Sequence, residues 1–330
     1  DLLTTSTIAD RKNAVARAVE LLRKGDVVAL PTETVYGLAA DALNPIAVAK
    51  IFEAKERPRF DPLIVHLPNR EWLERVAELP AGDRQFILKL SERFWPGPFT
   101  IVLPKLEVVP DIVTAGLDTV AVRISSHPAF AEIVAELDEP LAAPSANRFG
   151  RISPTTAQHV LDELDERIPL IIDAGPTEHG IESTIIRVQS GKIAFLRRGP
   201  VTQEQLSQFG EVTSMLTTPE ISAPGQLASH YAPKTPLCLI DNAEDFVPQK
   251  NQRVGLLAWK SGGGSRAHTK RFAAIRNLSH HGNLREAAAN LFRDLRELDA
   301  LGLDLIVAER VPVDGLGAAI LDRLERAAHK

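Results

Sequence analysis

Two short polar clusters early in the chain carry the side chains best suited to chemistry. Thr32-Glu33-Thr34 with Tyr36-Gly37 follows the apolar run Val27-Val28-Ala29-Leu30 across Pro31, and Lys55-Glu56-Arg57-Pro58 precedes Leu63-Ile64-Val65-His66-Leu67. Cations fixed on a stiff turn beside a buried strand suit phosphate or carboxylate oxygens. Further along, Thr119, Ser145, Ser153, Ser183 and Thr184 supply small hydroxyls, while Arg123, Arg148, Arg151, Arg197 and Arg198 supply cations near segment ends. Cations and neutral donors without a clear nucleophile fit phosphoryl or nucleotidyl chemistry, in which positioning and charge neutralisation do most of the catalysis. The sequence has no Walker loop, Gly-x-Gly-x-x-Gly fingerprint or Gly-x-Ser-x-Gly elbow. The residues alone therefore indicate a nucleotide or small-anion enzyme.

Short elements must hold these groups. Val27–Leu30 reads as a strand stopped by Pro31, which cannot donate to a ladder. Val15, Ala18, Val19 and Leu22 form one helical face before it, closed at Gly25. Asn44-Pro45 is a cap followed by a helix-starting proline, Ala49 and Phe52 give that helix its apolar face, and it ends near Lys55. Pro58 and Pro62 bias Arg59-Phe60-Asp61 toward extended backbone before a strand at 63–67. Helices are expected over 70–79, 83–94 and 128–137, and strands at 100–103, 119–124 and 170–173. In the second of these strands Thr119, Ala121 and Arg123 share one face. Leu141-Ala142-Ala143 enters a turn of small polar residues, Pro144-Ser145-Ala146-Asn147. Ser153-Pro154 predicts a helix over 154–164, whose N-terminus, with Arg148 and Arg151 upstream, would seat an anion. A hairpin of 184–188 and 192–196 turns through Gln189-Ser190-Gly191, and Thr202 with Gln205 forms a capping box.

From about Glu211 the texture becomes rich in Thr, Ser, Pro and Ala, and a linker is predicted over 213–236 carrying Ser229-His230-Tyr231-Ala232-Pro233. Strands at 237–241, 254–259, near 272–275 and at 303–309, with helices over 284–299 and 316–328, then predict a smaller, mostly parallel α/β unit at 237–330. Its motifs are poor. Gly262-Gly263-Gly264 lacks the Gly-Lys-Ser/Thr of a phosphate cradle, and His280-His281 lacks metal-ligand spacing.

The 330 residues are long enough for two domains, and 44% apolar with 25% charged residues is ordinary globular composition. No apolar run approaches the roughly 20 residues that span a bilayer. A net charge of −5 opposes a broad nucleic-acid surface, although a local basic pocket fits it. The single cysteine, Cys238, leaves no internal disulfide and no Cys-rich zinc site. With no secretory signature at the start, a cytoplasmic location is expected.

Several motifs in order then carry a resemblance. Pro31-Thr32-Glu33-Thr34-Val35-Tyr36-Gly37-Leu38, Lys55-x-Arg57-Pro58 with Pro62-Leu63-Ile64-Val65-His66, Trp95-Pro96-Gly97-Pro98, Ala143-Pro144-Ser145-Ala146-Asn147 and Glu182-Ser183-Thr184 resemble the successive signatures of the YrdC family. Ala223-Pro224-Gly225 through His230-Tyr231-Ala232-Pro233, followed by an α/β unit, resembles the family's long, two-domain form. The resemblance implies a YrdC-like twisted open α/β sheet with a basic cavity over 1–212, a linker or lid over 213–236, and a Rossmann-like α/β domain over 237–330. It implies condensation of L-threonine, bicarbonate and ATP into threonylcarbamoyl-AMP with pyrophosphate release, with Mg²⁺ accompanying the ATP phosphates and no metal held by protein alone. The product would pass to a tRNA threonylcarbamoyl transferase complex.

Carried over by motif, Lys55, Arg57, Asp61, Thr119, Ser145, Asn147, Ser153, Arg197, His230 and Tyr231 are expected to line the ATP site, with Lys55 and Arg57 stabilising charge. Thr34, His66, Arg123, Ala143 and Ser183 are expected to form the threonine pocket, Arg123 facing the carboxylate. Two positions depart from the family pattern. Asp61 stands where asparagine is common, and Gln226-Leu227-Ala228-Ser229 replaces a Met- and Lys-containing stretch. A carbamoyl-adenylate relative within the same fold, or an RNA-binding module, are the alternative readings. The first lacks its additional large domains here, and the acidic balance weighs against the second.

Overall fold

The structure is a computed structural model and describes residues 1–213, 223–225, 230–260 and 271–329. The chain divides into two compact units. The first comprises Asp1–Phe149, Pro154–Glu178 and Glu182–Gln226; the second comprises Gly150–Ser153, His179–Ile181 and Leu227–Lys330.

The first unit opens with β1 (Leu2–Thr4), α1 (Ile8–Arg23), β2 (Val28–Leu30), β3 (Gly37–Asp41), α2 (Pro45–Lys55) and β4 (Ile64–His66). A 3₁₀ turn at Arg70–Trp72 leads into α3 (Leu73–Val76), α4 (Arg84–Phe94), β5 (Phe99–Pro104), α5 (Asp111–Thr114) and β6 (Thr119–Arg123). The rest is α6 (Pro128–Leu137), β7 (Leu141–Ala142), α7 (Ala157–Leu164), β8 (Ile171–Asp173), β9 (Thr184–Gln189), β10 (Lys192–Arg197), α8 (Gln203–Leu206) and β11 (Val212–Thr213). These strands form one mixed sheet in the order β1-β8-β2-β3-β7-β4-β6-β5-β9-β10-β11.

The pleat divides the core. Val28 and Leu30 of β2 join Ala39, Leu141 and the buried faces of α1 and α6 on one side. On the other, Ala29, Leu38, Val65, Ile101 and Val122 pack with Ile51 and Phe52 of α2, Ile87 and Leu90 of α4, and Val160 of α7. Full burial of each Val, Leu, Ile or Phe among them contributes about 1.5–3 kcal/mol. Local signals set the boundaries. Asn44 accepts hydrogen bonds from the Ile46 and Ala47 N–H groups to start α2, and α1 yields to Gly25, whose φ of 74° an L side chain would resist. The hairpin turn places Ser190 and Gly191 at φ 51° and 73°, with both N–H groups donated to the Asp83 carboxylate.

Helix α7 corrects an expectation. It begins at Ala157 rather than at Pro154, capped by Thr156, whose hydroxyl accepts from the His159 N–H. The Pro154 carbonyl instead receives the Tyr36 N–H at 2.9 Å, and the Thr155 N–H is donated to His159 Nδ1, which keeps both residues outside the helix. The helix N-terminus expected at Ser153-Pro154 is thus at Thr156-Ala157. The single helix expected over 70–79 is likewise the short 3₁₀ turn and α3, interrupted where Ala77 turns to extended backbone and bridges Lys105.

The second unit contains β12 (Leu237–Ile240), β13 (Val254–Ala258), β14 (Ala274–Asn277), α9 (Leu284–Asp299), β15 (Leu305–Glu309) and α10 (Leu316–Ala328). Its four described strands are all parallel, in the order β12-β15-β13-β14. The central strands β13 and β15 carry buried apolar residues on both faces, and the amphipathic helix α9 connects β14 to β15, as expected of a parallel α/β sheet. The Gly262–Gly264 run and Gln226–Ser229 lie outside the described residues. Among the described residues no helix is long and apolar enough to cross a membrane.

Candidate active site

Short strands of the first unit bring polar ends to a small apolar floor. Ile64, Val102, Ala121, Ile185 and Leu196 form that floor, and Ala223 packs against it. On β6, alternation sets Thr119, Ala121 and Arg123 on one face, as the sequence pattern predicts. Arg123 is in register with His66 of the parallel strand β4, whereas Thr119 lies at the other end of β6 opposite Pro104. Gly37 at the start of β3 bridges Ser145, which brings the PTET turn beside the 143–147 turn.

Around Lys55 the elements converge on oxygens. As the last residue of α2 it is 1% exposed, and its ammonium donates to the carbonyl of Ser145 at 2.5 Å and to the carbonyl of Asn147. Burial pulls its pKa well below the ordinary lysine range, and the neighbouring Arg57 charge pulls the same way. Arg57 is held by its own turn: Nε donates to the Asp61 carbonyl at 3.2 Å and Nη2 to the Pro62 carbonyl at 2.9 Å. The left-handed Glu56 that ends α2, at φ 53°, aims the chain into that turn. The stiff bracket of Pro58 and Pro62 is thus a cage of carbonyls around one guanidinium.

Asp61 is fully buried, with Oδ2 2.8 Å from Arg57 Nη2. That contact is an ion pair short of hydrogen-bond geometry, and Oδ1 has no hydrogen-bond partner among the described residues. Burial raises its pKa, against the pull of Arg57, Lys55 and Arg197. Because Arg57 has two carbonyl acceptors besides this carboxylate, Asp61→Asn is expected to keep the turn intact. Activity should stay within about fivefold of wild type, the carboxylate-to-amide change removing a partner rather than a bond network. Steady-state rates checked against the melting temperature would decide it, and a collapse of activity in a folded variant would give the carboxylate a role of its own.

The second cluster centres on Arg123. Its Nη2 donates to Glu33 Oε1 and its Nη1 to Thr34 Oγ1 at 3.2 Å. Burial alone would push the Glu33 carboxyl up. The Arg123 charge and the Ser125 hydrogen bond outweigh that push, so the group is held below the usual carboxylate range. His66 is fully buried and its ring, tilted on Phe130 at 4.8 Å, stays neutral because burial, with Arg123 nearby, depresses its pKa well below the ordinary value. The backbone of Ala143, whose N–H is donated to the Ile64 carbonyl, lies beside His66 and pulls its pKa weakly the other way. Nδ1 has no partner among the described residues. Arg197, at the end of β10, donates to the Ser183 carbonyl and hydroxyl, both at 3.0 Å, and to the Pro224 carbonyl at 3.4 Å. Ser183 Oγ also meets Thr100 Oγ1 at 2.8 Å.

The expected residues thus fall into linked groups: Lys55 with Ser145 and Asn147, Arg57 with Asp61, Arg123 with Thr34 and His66, His66 with Ala143, and Arg197 with Ser183. Thr119 stands apart from Arg123 along β6. Ser153, His230 and Tyr231 belong to the second unit. There Tyr231, at φ 63°, stacks on Phe292 of α9 at 5.4 Å and lies under Arg323 of α10 at 5.3 Å, with the His230 ring edge-on at 4.2 Å. Glu33 and Ser125 had no assigned role at the sequence level, although Glu33 sits inside the polar triplet; Ser125 carried no signal. Among the described residues no group of three or more His, Cys, Asp or Glu side chains is placed to hold a metal ion.

A mixed α/β sheet with buried cations at its strand ends, followed by a parallel α/β unit, defines the class: a two-domain, YrdC-like protein. Residues 20–199 match the family Sua5/YciO/YrdC, described as "Telomere recombination", and residues 201–329 match "Threonylcarbamoyl-AMP synthase, C-terminal domain". The chain belongs to the Sua5/YciO/YrdC family. It is 39% identical to the threonylcarbamoyl-AMP synthase of Pyrococcus abyssi, covering 94% of this chain and 93% of that one. It is also 39% identical to the enzyme of the same name from Bacillus subtilis, covering 98% and 95%. Among solved structures it matches P. abyssi Sua5 complexed with L-threonine at a TM-score of 0.85 and 36% identity, covering 99% of this chain and 96% of that one.

Proposed function

We propose that this chain condenses L-threonine, bicarbonate and ATP into L-threonylcarbamoyl-AMP and releases pyrophosphate, acting as a nucleotidyltransferase. The observation that carries the reading is the near-complete, 39%-identical match to proteins named threonylcarbamoyl-AMP synthase. Within the first unit, Thr34, His66, Arg123, Ala143 and Ser183 take threonine. Arg123 receives the carboxylate, and Nδ1 of His66 hydrogen-bonds a polar group of the amino acid. Lys55, Arg57, Asp61, Thr119, Ser145, Asn147 and Arg197 take the nucleotide.

In the reaction threonine's amine attacks bicarbonate with loss of water, or CO₂ with loss of a proton, to give a carbamate. A carbamate oxygen then attacks the α-phosphorus and pyrophosphate leaves, with no covalent enzyme intermediate. Lys55 and Arg57 offset the negative charge that develops on the phosphates. Mg²⁺ fits this site as a companion of the nucleotide rather than a resident ion, because Asp61, the carboxylate beside those cations, already faces Arg57. The product, a mixed anhydride, would pass in the cytoplasm to enzymes that modify tRNA.

The test is pyrophosphate release with ATP, bicarbonate and Mg²⁺, comparing L-threonine with L-serine, glycine and no amino acid. Threonine-dependent release with a product of the threonylcarbamoyl-AMP mass is expected. Release that ignores the amino acid would overturn the assignment.

A further inference from the structure

Arg123 is 3% exposed and two of its three nitrogens are engaged by a single turn, Nη2 by Glu33 and Nη1 by Thr34. Its Nε has no partner among the described residues. A buried guanidinium N–H left open in a well-bonded site is what a ligand acceptor completes, and a carboxylate docks on such a planar fork along one edge. Which edge stays open is decided by Glu33.

Glu33 is itself immobilised. It is 2% exposed, its Oε1 holds Arg123 and its Oε2 accepts from the Ser125 hydroxyl at 2.5 Å, while Ser125 Oγ in turn accepts the His127 N–H at 3.3 Å. Its backbone is fixed as well. Thr32 Oγ1 accepts from the Thr34 and Val35 N–H groups and donates to the Val35 carbonyl at 2.7 Å, locking the turn on which Glu33 stands. This network joins the turn after β2 to the end of β6, 90 residues apart.

We propose that Glu33 is a positioning residue for substrate recognition: it sets the orientation of the Arg123 guanidinium that receives the carboxylate of L-threonine. The inference rests on the threonine pocket proposed above. Glu33 also neutralises Arg123 before any ligand arrives, so recognition depends on directed hydrogen bonds more than on net charge. A carboxylate is then selected by its two acceptor oxygens, and Glu33 acts on the amino acid and not on the nucleotide.

Isothermal titration of wild type and Glu33→Gln with L-threonine, L-threonine amide and ATP tests this. Glu33→Gln keeps an acceptor oxygen but loses the charge that pins Arg123. Its threonine Kd is expected to rise at least tenfold, its preference for threonine over the amide to shrink by a similar factor, and its ATP Kd to stay within twofold. A purely structural role would weaken both ligands alike, and that result overturns the proposal. So does a folded Glu33→Gln protein that binds threonine within twofold of wild type, and in that case the functional reading survives. Wild-type protein that binds no L-threonine removes both. Should Glu33→Gln fail to fold by circular dichroism, Ser125→Ala, which frees Oε2 and leaves the ion pair, is expected to lose about threefold in threonine affinity alone. Unchanged threonine binding in that variant would overturn the proposal.

Discussion

Replacing Lys55 or Arg57 by alanine is expected to slow threonine-dependent pyrophosphate release by about 10²–10³-fold, the range typical of removing one preorganised charge stabiliser. The two losses have different physical origins. Lys55 is a buried ammonium lodged against the Ser145 and Asn147 carbonyls, so alanine removes a fixed cation and leaves those carbonyls without their donor. Arg57 is gripped by the Asp61 and Pro62 carbonyls, so its alanine variant also strips Asp61 of its counter-charge.

The pH behaviour should separate the two. An arginine keeps its charge throughout the working range, whereas the depressed pKa of Lys55 means that its charge is lost at lower pH than an ordinary lysine's. Activity limited by Lys55 therefore falls on the alkaline side, as pH rises through that lowered value, and this limb should be missing from the residual activity of Lys55→Ala. The sign for stability is the reverse. The unfolded chain holds the Lys55 proton to higher pH than the folded one, so stability from this group rises with pH up to the unfolded lysine value. Initial rates from pH 6 to 10, beside melting temperatures over the same range, would check both statements. Rates within threefold of wild type for either variant would remove that residue from the charge-stabilising role.

Much of the scaffold was legible because its signals are local. The Asn44-Pro45 start of α2, the Gln189–Gly191 hairpin, the Thr202 capping box and α10 over 316–328 all appear where spacing and cap chemistry put them. Strand β3 was not legible. Gly37-Leu38-Ala39-Ala40 is buried on both faces, so no polar alternation marks it, and its ladder partners β2 and β7 lie far apart in the chain. The Ser153-Pro154 signature misled for a related reason: a tertiary bond from the Tyr36 N–H claims the Pro154 carbonyl and overrides the local helix start. At the site, Lys55, Arg57 and Arg123 stood out as cations at segment ends. What could not be read was pairing. That Arg123 meets Glu33 and that Arg197 turns onto Ser183 are consequences of sheet order and register, which no single segment encodes, while the path of the turn after α2 decides that Arg57 rather than Arg59 faces Asp61.

That pairing makes Arg123 the side chain whose loss should cost the fold most. Arg123→Leu fills similar space but leaves Glu33 buried beside Ser125 with no cation, and breaking a buried ion pair in this way costs about 3–5 kcal/mol. The effect should depend on pH with a definite sign. In wild type the Glu33 pKa is depressed, so its contribution is present above the unfolded carboxylate value of about 4.3 and is lost as pH falls through the folded value. In Arg123→Leu the largest remaining influence is burial, which raises the folded pKa. The variant should then be nearest to wild type at low pH and fall further behind as pH rises through the raised value. Adding Glu33→Gln to Arg123→Leu should recover part of the loss at pH 8 and little at pH 5, because only at the higher pH is there a buried charge to remove. Urea titrations in a Trp259→Phe background would read this from Trp72 and Trp95, both in the first unit. Equal destabilisation at both pH values, or no recovery in the double variant, would mean that Glu33 and Arg123 do not depend on each other for their charge. Neither variant should gain stability from added L-threonine, since the fork that would receive its carboxylate is absent from both.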